Sequence, residues 1–343
     1  MGAAIGEMLR REIKAFVEQR LRAAKVYMHE RGSRDLDGLM AAAHACLEVV
    51  GEWDPDGYAE HLATAEAANM DPTALYAASN MTDVRDVTLF NSAAADSEGC
   101  TAIILPGSLT KSGDLIAAQS WDLNPGDLEY VVAVHRLPEN APESWSVTCT
   151  GCQTLVGMNG AGLFVGTTNI KTRDAKPGAG YLSILHRAIA CETREEAVQV
   201  IESAPRAGAH TYWLADPTGA DGFECSAEHA VRRSLSSDAP LVQTNHCLEE
   251  ANCAIEGEEP GSSTRARLAR ATELAMAGDH DLASLQALYA DRSDGVDSIN
   301  RYAEDEQGTA TNAVVVTIPA QRRFHCCRGP SDRGDWMRLR FME

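Results

Sequence analysis

The chain is poor in several features that would point to a simple role. Aromatic residues make up 6% of its 343 positions, lysine occurs five times against 25 arginines, and no apolar run approaches the roughly eighteen residues of a membrane span. That absence excludes a spanning helix. The start of the chain, where Met1 to Gly6 run into Arg10 and Arg11, also lacks the apolar core of a signal peptide, so a cytoplasmic location is expected. Positive charge is scarce as well: 30 Lys+Arg stand against 50 Asp+Glu, a formal net charge of −20. Such an excess raises the cost of approaching phosphate backbones or anionic lipid. It argues against nucleic-acid and membrane partners and leaves neutral or cationic small molecules open. No acidic tail accounts for it, because residues 1–99 carry −8 and the remainder −12. The 10 cysteines, including the adjacent Cys326 and Cys327, are irregularly spaced and read as reduced thiols rather than a disulfide framework. What the chain has in plenty is apolar material, 44% of its residues, enough to fill one large domain or two ordinary ones.

Residues 1 to about 80 read as helical. Ile5, Met8, Leu9, Ile13, Phe16, Val17, Leu21 and Ala24 recur at spacings of three and four, the pattern of an amphipathic helix. Further helices fit Leu36 to Val50 and Tyr58 to Ala68. The β-branched stretch Val84 to Phe90 reads as a strand, and the small polar residues Asn91 to Gly99 as an exposed linker. Strands are then expected at 101–105, 115–120, 130–134, 144–148, 155–158 and 162–166, the last two joined by a hairpin at Asn159-Gly160. A helix follows from Tyr181 to Ser203, strands at 211–214 and 241–244, helices at 262–276 and 282–289, and closing strands at 313–318 and 322–327. Strands with helices in blocks predict an α+β fold with largely antiparallel sheets.

Four groups of residues could carry chemistry. Cys149-Thr150-Gly151-Cys152 is a CxxC that could serve redox or zinc chemistry, with His246, Cys247 and Cys253 as further ligands, although the spacing matches no zinc module and buried thiols explain it better. Ser108 to Lys111 satisfies S-x-x-K, but it lies in a Pro/Gly turn without the companion motifs of that chemistry. Glu192, Glu195 and Glu196 read as a solvated helix face. The fourth group is Gly99-Cys100, at the point where the helical leader gives way to the first core strand. A thiol there can attack the preceding carbonyl and release residues 1–99. The freed α-amine, titrating near pH 8, can then serve as base for its own thiol. From local sequence alone, a buried strand cysteine is the commoner explanation of such a pair.

Downstream motifs change that balance. Gly99-Cys100-Thr101-Ala102 followed by Gln119-Ser120-Trp121-Asp122 resembles the start of the mature chain in the isopenicillin N acyltransferase-like family of N-terminal-nucleophile (Ntn) hydrolases, whose pattern is roughly GCT followed by QNWD. The resemblance runs through Gly157 to Leu163, Asn169, Glu195-Glu196-Ala197, Tyr212 to Asp216, Gly219, Glu224, Thr244-Asn245-His246, Ser263-Thr264-Arg265 and Arg322 to Pro330, and so covers residues 84–343. It implies a four-layer αββα fold, self-cleavage between Gly99 and Cys100, and Cys100 as nucleophile. By the same resemblance, Asn245 would hold the oxyanion, and Asp122 would orient the α-amine or the cleaving carbonyl. Arg265 would hold the thiolate or a substrate carboxylate, and Asn169 would line the pocket. An Asn amide suits an oxyanion because it donates without titrating. For Arg265 there is a competing reading, since Ser263 and Thr264 look like a helix N-cap and would leave Arg265 on the surface of the first turn. Two departures stand out: Ser120 replaces the Asn of QNWD, and Gln307 to Thr311 lack an Arg that some relatives carry.

The resulting expectation is an autocatalytic zymogen with a leader (1–99) and a catalytic core (100–343). It would hydrolyse an amide of a small N-acyl amine or amino acid through a thioester on Cys100, with acyl transfer to an amine as the alternative. No metal or organic cofactor is required. The expected partners are the amide substrate and the cleaved leader, with self-association open. Both pieces being acidic, apolar faces rather than charge should join them. An uncleaved binding scaffold and a thiol-metal protein are the readings from other classes.

Overall fold

The computed structural model describes residues 1–30, 36–88, 99–257 and 259–342. Among them, six helices precede the first strand: α1 (Gly2–Met8), α2 (Arg10–Glu30), α3 (Leu36–Trp53), α4 (Pro55–Ala68), α5 (Pro72–Ser79) and α6 (Met81–Thr88). Local signals set several of their ends. Asp54 and Asp71 cap α4 and α5, each accepting from a backbone N–H three residues on and each followed by a proline at the first helical position. The strand expected from Val84 onward is instead part of α6, where Thr82 to Arg85 are all buried. Its β-branched residues favour a strand locally, and packing between α3 and the core overrides that preference. Of the expected linker, residues 91–98 lie outside the described residues, as do 89 and 90 of the expected strand. Gly99, expected exposed, is buried.

The chain continues through β1 (Thr101–Leu105), β2 (Ile116–Leu123), β3 (Val131–Arg136), β4 (Ser144–Cys149), β5 (Val156–Asn159), β6 (Phe164–Asn169), α7 (Tyr181–Ile189), α8 (Arg194–Ser203), β7 (His210–Asp216), β8 (Gly219–Cys225), β9 (Ala230–Ser234), β10 (Leu241–Gln243), α9 (Glu250–Cys253), α10 (Ser262–Met276), α11 (Leu282–Tyr289), β11 (Ala310–Ile318), β12 (Arg323–Arg328) and β13 (Trp336–Leu339). The helix expected over 181–203 is two. Thr193 and Glu196 form a capping box that starts α8 afresh, so Glu196 is a cap and not merely a solvated charge. Strands β8, β9 and β13 were not foreseen.

These strands form two antiparallel sheets, β10-β1-β2-β11-β12-β13 and β3-β4-β5-β6-β7-β8-β9. Period-two alternation assigns their faces. Ala102 and Ile104 of β1, Ala117 of β2 and Val315 of β11 join the large core that also holds Val156, Phe164 and Ala215 of the second sheet. Their neighbours Ile103, Leu105, Ala118, Val314 and Val316 pack on the other side against Ala271 and Ala275 of α10 and Leu285 and Leu288 of α11. Helices α7 and α8 lie on the second sheet, over β5, β6 and β7. The layers are thus helix, sheet, sheet, helix: the αββα sandwich that the sequence resemblance implies.

The six N-terminal helices pack against this sandwich through more than apolar faces. Ile13 sits in the notch left by Gly151, whose φ of +76° and missing Cβ both require glycine. Charge also crosses the boundary, contrary to the expectation from net charge. Arg20 pairs with buried Asp127 through two contacts of 2.9 Å, and Glu60 pairs with Arg136 at 3.0 Å. The N-terminal segment further caps a helix of the sandwich. Gly180 gives α7 no side-chain cap, and its first amides donate instead to Tyr76 Oη (Gly180, 2.8 Å), Asp83 Oδ2 (Tyr181, 2.8 Å) and Asn80 Oδ1 (Leu182, 3.2 Å).

Candidate active site

Gly99 and Cys100 lie at the head of β1, between the two sheets. The Thr101 N–H donates to Ser120 Oγ at 3.2 Å, so the residue that replaces Asn in the QNWD pattern does make a polar contact there. The dominant feature is Arg267 on α10, fully buried. Its Nη1 donates to the Cys100 carbonyl at 2.5 Å and to Thr101 Oγ1 at 3.1 Å, and its Nη2 donates to Asn245 Oδ1 at 3.0 Å. One guanidinium therefore ties the candidate nucleophile to the candidate oxyanion donor. It also fixes which end of the Asn245 amide faces it, leaving Nδ2 on the other side, where one of its two hydrogens reaches the Asn169 carbonyl at 2.9 Å. Asn245 is held further by Thr264, whose hydroxyl accepts its N–H at 2.8 Å.

Thr264 and Ser263 are thus not the helix caps that the sequence suggested; Gly261 occupies the N-cap. Ser263 Oγ contacts both Arg267 and Arg301. Arg265 is exposed, and Arg267 holds the buried place beside Cys100. Arg267 shares the i, i+4, i+8 spacing of Ala271 and Ala275 and Arg265 does not, but only the packing of α10 on the sheet shows that this is the buried face.

Asp122 is completely buried, and burial raises its carboxyl to about 6 against the opposing pull of Arg301 and Arg267. Thr311 and Ser120 lie near, yet neither carboxyl oxygen has a partner in hydrogen-bonding geometry among the described residues. Arg267, buried next to Arg301, is itself pulled down to about 9, which leaves it charged at neutral pH. Gly99 threads between these groups. A Cβ there would stand 2.7 Å from Asp122 Cβ and 2.9 Å from Arg301 Cδ and Nε, closer than real Cβ atoms come. Arg301, which sequence reasoning missed, donates through Nη1 to Thr309 Oγ1 at 2.6 Å, and its Nε has no hydrogen-bond partner among the described residues.

A cavity of about 30 Å³, room for roughly two waters, opens beside Cys100. Its walls are Trp121, Asp122, Leu123, Leu155, Thr167, Asn169, Tyr181 and His210, together with Thr82 from α6. Asn169 is thus one of the walls, and the N-terminal helices contribute another.

The competing groups fare differently. Cys149 and Cys152 are buried, and burial pushes the Cys149 thiol well up and the Cys152 thiol to about 11; Cys152 donates to Ser79 of α5. Cys247 sits apart with Ile170 and Ala209, and among the described residues no group of three His, Cys, Asp or Glu could hold a metal. Ser108 donates to the Ser237 carbonyl, and exposed Lys111 pairs with half-buried Asp281. Among the described residues no helix is long and apolar enough to cross a membrane.

Comparison with known proteins places the chain in a family. Residues 108–332 match the family model described as acyl-coenzyme A:6-aminopenicillanic acid acyl-transferase, a match that begins after Cys100 and so does not itself include Gly99 or the N-terminal helices. No curated protein matches the sequence. Among solved structures the chain is similar to penicillin V acylase from Agrobacterium tumefaciens (18% identity, 70% of this chain and 86% of that one, TM-score 0.48). It is also similar to the N-acylethanolamine-hydrolyzing acid amidase ortholog of Caenorhabditis elegans (13%, 64% and 93%, TM-score 0.46). A third is the conjugated bile acid hydrolase of Clostridium perfringens, solved as a point mutant (13%, 71% and 97%, TM-score 0.47). With the family model covering most of the chain and the αββα sandwich in place, this protein belongs to the acyl-coenzyme A:6-aminopenicillanic acid acyl-transferase family of Ntn hydrolases.

Proposed function

We propose that the chain is a cysteine Ntn amidase that activates itself by cutting between Gly99 and Cys100. The observation that carries this reading is the surroundings of that peptide bond: a glycine that alone fits between Asp122 and Arg301, followed by a cysteine whose carbonyl is clamped by Arg267. In the proposed cleavage the Cys100 thiol loses its proton to Asp122, a carboxyl poised near neutrality, and Sγ attacks the Gly99 carbonyl. The C–N bond breaks as the C–S bond forms, and the Cys100 nitrogen takes the proton. Water then hydrolyses the thioester, leaving Gly99 with a carboxylate and Cys100 with a free α-amine.

That amine is the base for turnover. It takes the thiol proton while Sγ attacks the amide carbonyl of the substrate, and Asn245 Nδ2 donates to the oxyanion. Asp122 then holds the α-ammonium, the amine product leaves with the proton, and water releases the acyl group. Arg267 positions Asn245 and the Cys100 backbone. Arg265, being exposed, has no part in this scheme. The three groups that bond across the segment boundary to α7, together with the Arg20–Asp127 and Arg136–Glu60 pairs, favour the N-terminal fragment staying bound after cleavage.

Intact mass after expression tests the reading. The wild type should separate under denaturing conditions into fragments of 99 and 244 residues, and Cys100→Ala should stay a single chain. A wild-type chain that stays whole on long incubation and hydrolyses no N-acyl amide would overturn it.

A further inference from the structure

His210 is a wall of the cavity beside Cys100, and nothing in the scheme above uses it. It stands on β7 directly opposite Asn169 of β6, and its ring is buried, stacked on Tyr181 with centroids 4.4 Å apart and 22° between planes. Its Nε2 lies 3.0 Å from Asp83 Oδ1, and Asp83, also buried, belongs to α6 of the N-terminal segment. A carboxylate has only acceptors to offer, so Nε2 carries the hydrogen. The other oxygen of Asp83 accepts the Tyr181 N–H at 2.8 Å, which holds the carboxylate in place, and Gly208 approaches so closely that an added Cβ would lie 2.5 Å from Oδ1. With Nε2–H engaged by Asp83, Nδ1 is the ring nitrogen left over, and it has no hydrogen-bond partner among the described residues. A buried ring nitrogen left without a partner is costly, so a site that retains one is suited to a polar partner that arrives with a ligand.

During amide cleavage the acyl group stays on Cys100 while the amine departs, so the small cavity against Cys100 takes the acyl group. We propose that Asp83 and His210 form its recognition element: Asp83 of the N-terminal segment sets the tautomer, and His210 Nδ1 accepts an O–H or N–H carried by a short acyl chain. The preferred substrates are then hydroxyacyl or aminoacyl amides rather than plain alkanoyl ones. This rests on the amidase reading above and narrows its substrate class. His210 is the contacting residue and Asp83 the positioning residue, contributed by the segment that the proposed cleavage separates from Cys100.

The test compares lactyl and isobutyryl 4-nitroanilides, which differ only in hydroxyl against methyl on the α-carbon. The wild type should favour the lactyl compound in kcat/KM by roughly tenfold or more, the scale of a hydrogen bond that the analogue cannot make. In Asp83→Asn the side-chain oxygen can still serve the Tyr181 N–H while its NH2 donates to Nε2, which moves the ring hydrogen to Nδ1. The lactyl preference should then fall toward one. His210→Phe keeps a ring against Tyr181 and should abolish the preference likewise, and it carries the test if Asp83→Asn does not fold. The readout is the ratio of kcat/KM for the two anilides in each variant that still yields two fragments. Equal losses on both substrates would mean a purely structural pair and would overturn the inference, as would a wild type without the preference. A wild type that self-cleaves and hydrolyses longer acyl amides but neither anilide sinks this inference alone; a chain that does none of these sinks the amidase reading as well.

Discussion

Of the buried cysteine environments in this fold, those of Cys149 and Cys152 and of Cys100 have opposite characters. Cys149 and Cys152 sit in a short-spaced motif, packed under α2 and α5 beside the Arg20–Asp127 pair. Burial dominates there and raises both thiols, which makes them inert. Cys100 belongs to no cysteine motif. It borders a cavity, its carbonyl is held by an arginine that also holds Asn245, and a carboxyl raised to about 6 by burial stands in the same cavity wall. The lesson is that the surrounding charges and space, rather than cysteine spacing, separate a candidate nucleophile from a packed thiol.

The strongest way to break this contrast is to remove each sulfur in turn. Cys100→Ala should abolish self-cleavage and amidase activity, a fall of roughly 10³-fold or more, whereas Cys149→Ala and Cys152→Ala should still yield two fragments and lose only about 1 kcal/mol of stability, read by denaturing gel and by denaturant melts. The second contrast lies within α10. Arg267→Gln removes the guanidinium that holds three oxygens at the head of β1 and should cost roughly 3 kcal/mol together with most cleavage activity, while Arg265→Gln should stay within about 0.5 kcal/mol of the wild type. Equal effects of the two changes would refute the geometry of the helix face.

A third prediction concerns pH. Asp122 becomes a carboxylate only as pH rises through about 6, so the rate of self-cleavage should climb across that range. For stability the sign is reversed. The folded chain holds this proton more tightly than the unfolded chain does, so the carboxyl's contribution is lost as pH rises from the ordinary carboxyl range through about 6. Asp122→Asn should therefore slow cleavage roughly 10²-fold while leaving Tm equal or higher at neutral pH. The last concerns Gly99→Ala: the added methyl meets Asp122 and Arg301 and should destabilise by roughly 1–3 kcal/mol and slow cleavage, measured by melts and by the time course of fragment appearance.

Much of this was legible in the residues. Helices α10 and α11 have the bounds that their apolar spacing indicates, the Asn159-Gly160 hairpin forms, and Gly99-Cys100 with Asp122 and Asn245 come together although 123 or more residues separate Asn245 from the other three. Other features were not. Val84 and Val87 look like strand residues until α6 is pressed against the sandwich. The choice of Arg267 over Arg265 depends on which face of α10 meets the sheet. The ion pairs between two acidic segments could not be read from net charge, because Arg20 and Asp127, or Arg136 and Glu60, meet only when the layers do.

By itself, then, the sequence determined the periodicities that make the elements, the glycine that the site between Asp122 and Arg301 demands, and the family to which the core belongs, since all of these are written in short runs of chain. Tertiary structure alone decided which arginine is buried, which thiols are sealed, and that Asp83 meets His210 across 127 residues. The physical reason is that burial, charge pairing and hydrogen-bond partners of this kind are properties of neighbours in space, and those neighbours exist only once the two sheets and the N-terminal helices have packed.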